Sequence, residues 1–356
     1  MKTQVTDEEY VEALYEQLLL RCADESGKRF YMTLLASGRS RFDVMRDIAT
    51  SAECFELLCK QRFGPQTGSP FLAAAAPGHF YSPLPSLDAV ERLGLTSTSF
   101  DLAAFPEIDL RVDQQLTLLS QLAPYARALV IADGRCGDRY YADNGSFAPG
   151  DATLLAAMIR HMQPSTILEV GAGFSTAMML DTVERYLPDR CSIEAIDPEP
   201  QRAMDLLRAT DVSWLTLRAG LVQDMPISTF TRLGKNDILF IDSSHVMKLG
   251  SDVAFLFNQV LPVLAPGVVV HVHDVAWPFE YPVDHYRHGW AWNEAQCLRL
   301  LLANSARYEV LLFADYLARA RRPEVRAIMP EALRQRPGVP PEGNSACSFW
   351  FRVRED

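Results

Sequence analysis

Apolar residues follow two rhythms along this chain. Up to about residue 62 they recur at helical spacing. Val11, Leu14, Tyr15, Leu18 and Leu19 make one stripe, Phe30, Tyr31, Leu34 and Leu35 a second, and Phe42, Met45, Ile48 and Ala49 a third, with Cys54, Leu57 and Leu58 closing the set. Thr6 with Glu9 forms a capping box ahead of the first stripe, Gly27 breaks the chain before the second, and Gly38 ends it. From about residue 150 the rhythm changes. Short apolar runs of strand length, at 167–170, 192–196, 214–217, 237–241, 268–272, 308–313 and 347–353, are separated by helical stretches that include 151–162, 201–209 and 293–303. Strands alternating with helices predict an α/β fold with a parallel sheet.

Residues 63–78, rich in Gly, Pro and Ala, read as a linker. The expected division is therefore a small all-helical domain over 1–62 and an α/β domain over 79–356. The latter carries an N-terminal extension, 79–150, in which helical spacing returns at 114–122.

The stretch ILEVGAGFSTAMML, residues 167–180, organises the second part. A buried strand runs into Gly171-Ala172-Gly173, where the backbone turns sharply and a ligand can approach it closely. Ser175 or Thr176 then caps a helix whose positive end faces the turn. A dinucleotide fingerprint would place glycine where Thr176 stands, and Glu169 would repel a pyrophosphate, so a nicotinamide oxidoreductase is disfavoured. The same carboxylate favours a cation such as the aminoacyl-sulfonium part of S-adenosylmethionine. Asp197 ends the second strand 24 residues past Gly173, close to the spacing at which an acid meets a ribose hydroxyl. Glu169–Gly173, Asp197, Asp224, Asp242–His245 and His273–Asp274 all fall at carboxyl ends of successive strands, where ligands of such sheets sit.

Composition narrows the classes. With 356 residues, 48% of them hydrophobic, the chain can bury a large core. Its net charge of −11 disfavours a general nucleic-acid or anionic-membrane binder. Seven scattered cysteines without a C-x-x-C read as reduced thiols, and no apolar run reaches 18 residues. A cytoplasmic protein is the expectation.

Residues 79–353 resemble a class I S-adenosylmethionine-dependent methyltransferase of a bacterial family found near glycan and natural-product genes. The resemblance is carried by HFYSPLPSL, RYYADNGSFAPGDA, ILEVGAGFST, VQDMP, DILFIDSSHV, GSDVAFLF, VLAPGVVVHVHDV, PFEYP, WNEAQCLR and SFWFR. It implies a Rossmann-like seven-stranded, mostly parallel sheet whose last strand is antiparallel. It also implies that Glu169, Gly171, Ala172 and Gly173 hold the amino-acid end of the cofactor, joined by the capping Ser175. Asp197 would take the ribose, and Gln223 with Asp224 would lie by the adenine. In related metal-dependent O-methyltransferases, acids after the fourth and fifth strands bind magnesium. The matching residues here are Asp242, His273 and Asp274, with histidine replacing one carboxylate. His245 is then the candidate base, and without a metal either His245 or His273 serves, oriented by Asp242 or Asp274. Asp242 also suits a hydrogen bond to the cofactor, and His271 reads as a core histidine. Through YVEALYEQLLLRCADESGKRFYMTLLASGRSRFDVMRDIATSAEC, residues 1–62 resemble a helical domain of unknown function related to phycobilisome linkers, which implies docking or scaffolding, with a plain helical cap on the next domain as the alternative.

The reaction expected is methyl transfer to a hydroxyl of a saccharide or small hydroxylated metabolite. Transfer to nitrogen and a catalytically silent docking protein are the rivals.

Overall fold

The computed structural model describes residues 5–51, 53–54, 57, 78–93, 105–339 and 346–355. The chain divides into two compact units, Met1–Leu93 and Gly94–Asp356. Residues 79–93 thus group with the helical unit and not with the sheet. The expected linker, but for Gly78, lies outside the described residues.

In the first unit, α1 (Asp7–Leu14) opens on the capping box, Glu9 N–H donating to Thr6 Oγ1 and Thr6 N–H to Glu9 Oε2. It runs into a wide turn, Tyr15–Leu19, followed by α2 (Glu25–Ala36) and α3 (Arg41–Ala49). Val11, Leu14, Tyr15, Leu19, Val44, Ile48 and Cys54 form a core of their own. Gly27 differs from expectation. It sits inside the first turn of α2, its N–H donating to Asp24 Oδ1, and a Cβ there would meet the Tyr15 hydroxyl at 2.2 Å. Close packing, not a chain break, explains it. Gly38 does end α2, with φ +96°. A further helix, α4 (Leu87–Arg92), is capped by Ser86.

The second unit contains seven strands: β1 (Thr166–Val170), β2 (Ser192–Asp197), β3 (Leu215–Ala219), β4 (Ile238–Ile241), β5 (Val269–Val272), β6 (Tyr308–Phe313) and β7 (Phe349–Val353). They form one sheet in the order β3-β2-β1-β4-β5-β7-β6, in which only β7 runs antiparallel to its neighbours. Sheet and class are those expected. β4 and β5 are wholly buried and apolar but for His271, which stacks on Phe240 at 3.9 Å and lies against Trp350. Burial holds His271 well below the ordinary histidine range, so it is a neutral core residue.

Helices α5 (Val112–Arg127), α6 (Pro149–Met162) and α7 (Phe174–Tyr186) belong to this unit, and α8 (Glu294–Leu302) precedes β6. Of the stretch 201–209, only Gln201–Met204 is α-helical, and a 3-10 turn begins at Ala209. The winding reverses between β1 and β4, which opens a crevice outside their carboxyl ends. Among the described residues no helix is long and apolar enough to cross a membrane.

Candidate active site

Two adjoining cavities occupy that crevice. The larger, about 610 Å³, is bounded by the turn after β1, by Asp197, by Leu221–Gln223 and by the loop after β4. The smaller, about 380 Å³, is lined by Phe147, Gly173, Ser175, His245, His273, Asp274 and Trp292. Gly171, Ala172, Asp197, Arg202 and Asp242–Ser244 line both.

The turn after β1 requires its glycine. Gly171 has φ +83°, and a Cβ there would come within 2.1 Å of the Asp242 carbonyl oxygen. Its N–H donates to the Ile196 carbonyl, and Asp242 N–H donates to that of Val170, so β1, β2 and β4 are tied together at their ends. Asp197 holds the turn from the other side, accepting from Ala172 N–H at 2.7 Å and Glu199 N–H at 2.6 Å.

Thr176, where a third glycine would stand, accepts from Gly173 N–H (2.9 Å) and donates to Glu169 Oε2 (2.6 Å). Ser175 Oγ lies 2.6 Å from Glu169 Oε1. Glu169 is fully buried and lines neither cavity. Burial raises its carboxyl to about 8, despite the two hydroxyls, so it is largely neutral at pH 7. The expected direct contact between a charged Glu169 and the cofactor therefore does not match the geometry. Glu169 holds the turn and the start of α7.

The residues placed by the larger cavity fit S-adenosylmethionine in part. Gln223 lines it, with Nε2 donating to the Gly250 carbonyl while the buried Oε1 has no partner, an acceptor free for an amino group such as adenine's. Asp224, expected beside it, is exposed and lines neither cavity.

At the other end, the loop after β4 folds back so that His245, at φ +60°, comes under the ends of β4 and β5. Its Nε2 lies 3.5 Å from Asp242 Oδ1 and 3.6 Å from Asp274 Oδ2, and Asp274 is itself left-handed at φ +54°. The ligating atoms of Asp242, His245 and Asp274 all fall within 4.8 Å of one another. Two carboxylates and an imidazole are a donor set suited to a divalent cation.

The imidazole grouped with these two acids is that of His245, not that of His273. His273 continues the face of β5 that carries His271, so its ring enters the aromatic layer, 5.0 Å from Phe147. Its Nε2 reaches Asp274 only at 3.8 Å. Burial opposes its protonation, but Asp274, Asp242 and Asp151 still raise its pKa. For His245, burial is likewise outweighed, by the Glu294 hydrogen bond and the Asp274 and Asp242 charges, which push it up to about 9.

Two residues at the site escaped sequence reasoning. Glu294, fully buried at the start of α8, lies 2.9 Å from His245 Nδ1 and accepts from Ser243 Oγ, also at 2.9 Å. It stands within WNEAQCLR, but nothing in that segment names a partner 49 residues away. Arg202, in the short helical turn after β2, borders both cavities, and its Cδ lies 3.3 Å from where a Gly173 Cβ would sit.

Residues 168–275 match a methyltransferase domain family, and residues 1–58 match DUF4214, a domain of unknown function. An uncharacterized protein of Archaeoglobus fulgidus is 31% identical over 173 residues, 46% of this chain and 75% of that one. Among solved structures, the O-methyltransferase TomG of Streptomyces achromogenes, in complex with SAM, is similar at 15% identity and a TM-score of 0.37, over 75% of this chain and 96% of that one. A putative O-methyltransferase of Klebsiella pneumoniae is similar at 18% identity and a TM-score of 0.37, over 68% and 90%. The chain belongs to the family of the archaeal protein and carries a class I S-adenosylmethionine-dependent methyltransferase domain behind an N-terminal DUF4214 domain.

Proposed function

We propose that the enzyme is an O-methyltransferase acting on a hydroxyl of a saccharide or small hydroxylated metabolite. The observation that carries this reading is the grouping of Asp242, His245 and Asp274 beside the cavity of about 380 Å³ that adjoins the cofactor crevice. Bound S-adenosylmethionine supplies an electrophilic methyl group, and a divalent cation such as magnesium supplies Lewis acidity toward a hydroxyl. Nitrogen acceptors need neither a cation nor a clustered base, so such a grouping favours oxygen.

The chain's own residues then divide the work. Asp197 keeps a free lone pair on each oxygen that would take ribose hydroxyls, and Gln223 Oε1 would accept from the adenine amino group. Gly171–Gly173 let the cofactor approach the backbone, and Asp242 stands where the two cavities meet. Asp242, Asp274 and His245 would hold the cation. His273, whose ring borders the acceptor cavity, is the nearest further imidazole to receive the hydroxyl proton. Because the nucleophile must lie in line with the methyl, positioning supplies much of the rate. The helical unit, with a core of its own, fits a docking role toward another protein.

The test is formation of S-adenosylhomocysteine from S-adenosylmethionine over a panel of saccharides, small hydroxylated metabolites and amines. Turnover of a hydroxyl acceptor, abolished by chelation and restored by Mg²⁺ or Mn²⁺, is expected. Turnover of amines alone, or rates indifferent to chelation, would sink the reading.

A further inference from the structure

Ser243, Ser244 and His245, in the loop after β4, are each anchored by a carboxylate. Ser244 is held by Asp252, through its N–H at 2.7 Å and its hydroxyl at 2.6 Å. Ser243 and His245 share theirs, the carboxylate of Glu294. The arrangement closes on itself. Ser243 Oγ accepts the His245 backbone N–H at 2.9 Å, and the His245 carbonyl accepts from the N–H groups of Asn293 (2.9 Å) and Glu294 (3.2 Å). The left-handed backbone of His245 persists because these bonds over-determine it.

The consequence lies in the imidazole. With Glu294 as the acceptor, as it is toward Ser243 Oγ, the nitrogen 2.9 Å from its Oε2 carries the proton. That nitrogen is Nδ1. The Trp292 ring lies against the imidazole at 4.3 Å and restricts its rotation. Nε2 is left facing Asp242 and Asp274 at 3.5 and 3.6 Å, longer than direct hydrogen bonds.

We propose that Glu294 is a positioning residue that fixes the Nδ1–H tautomer of His245 and so presents Nε2, with Asp242 and Asp274, to a divalent cation. The inference rests on the reading of those three residues as a cation site. A carboxylate bonded to the far nitrogen of a ligating histidine sets ring orientation and raises ligand basicity.

The experiment is Mn²⁺ binding to the full chain, followed by the electron paramagnetic resonance of free Mn²⁺, with S-adenosylhomocysteine affinity measured alongside. Glu294→Gln should weaken Mn²⁺ binding by about 10–100-fold while S-adenosylhomocysteine binding stays unchanged. A Glu294→Gln protein that binds Mn²⁺ as tightly as its parent overturns the inference and leaves the cation site standing. A parent chain that binds no Mn²⁺ overturns both. Should the variant fail to fold, ¹⁵N resonances of His245 in the Mg²⁺-saturated parent decide the matter. Protonated Nδ1 with bare Nε2 is expected, and the reverse tautomer overturns the inference.

Discussion

Glu169 on β1 and Asp242 just past β4 belong to neighbouring strands, and their environments are opposite. Glu169 is sealed from both cavities, and Ser175 and Thr176 occupy its two oxygens. Asp242 is a third exposed, borders both cavities, and has His245 Nε2 facing it without a direct hydrogen bond. Burial raises the carboxyl of each. At Glu169 the cost is met locally by keeping the proton and using neutral hydroxyls. At Asp242 it is offset by histidines, and the oxygens stay available to something that enters the crevice. Proximity to a ligand site therefore does not make an acid functional. What matters is whether its lone pairs are already used.

The same chemical edit at the two positions separates them most sharply. Asp242→Asn removes a charge facing the acceptor cavity, and His245→Ala removes the nitrogen beside it. Each should lower turnover by several kcal/mol of transition-state stabilisation, about 10²–10⁴-fold, with S-adenosylhomocysteine still bound. Near-normal rates in either variant, measured with a working acceptor, would place the chemistry elsewhere in the crevice.

The sequence reveals some of this and hides the rest for physical reasons. Apart from Glu169 and His271, Ile167–Val170, Ile238–Ile241 and Val269–Val272 are apolar because both faces of the sheet are covered, so the strands, and hence their carboxyl ends, could be read directly. Gly171 was readable because only glycine tolerates its φ beside the Asp242 carbonyl. The partners of Glu169 were not legible because a strand pattern assigns a face but not a hydrogen-bond partner. Only the fold shows Thr176 relaying from Gly173 N–H to its carboxylate. His245 and His273 both follow strand ends, and only the fold, through a left-handed turn at His245, shows which imidazole groups with Asp242 and Asp274. Glu294 depends on long-range docking of α8, to which local periodicity is blind.

An intermediate effect is expected at Asp197, which shares features of both acids. Its oxygens already accept from Ala172 and Glu199, yet it borders both cavities. Asp197→Ala should weaken cofactor binding by about 1.5–3 kcal/mol, the value of a hydrogen bond to a charged group. Titration calorimetry with S-adenosylhomocysteine reads this directly. Unchanged affinity in a folded variant would mean that Asp197 serves the turn alone, as Glu169 does.

The smallest functional effect is expected at Glu169 itself. Glutamine reproduces the protonated acid: its carbonyl oxygen accepts from Thr176 and its amide donates to Ser175. Glu169→Gln should leave S-adenosylhomocysteine affinity within about threefold, since neutral hydrogen bonds replace neutral ones. Stability should respond to pH in a definite direction. The folded carboxyl titrates at about 8 against an ordinary 4.5, so between those values the folded chain holds a proton that the unfolded chain has lost. The contribution of Glu169 is fully present below pH 4.5 and is lost as pH rises through 8. Glutamine has no proton to lose. The melting temperature of Glu169→Gln relative to the parent should therefore rise as pH increases from 5 to 8. A constant difference across that window would show that Glu169 is ionised in the folded protein, and would return it to the class of acids that face the cofactor.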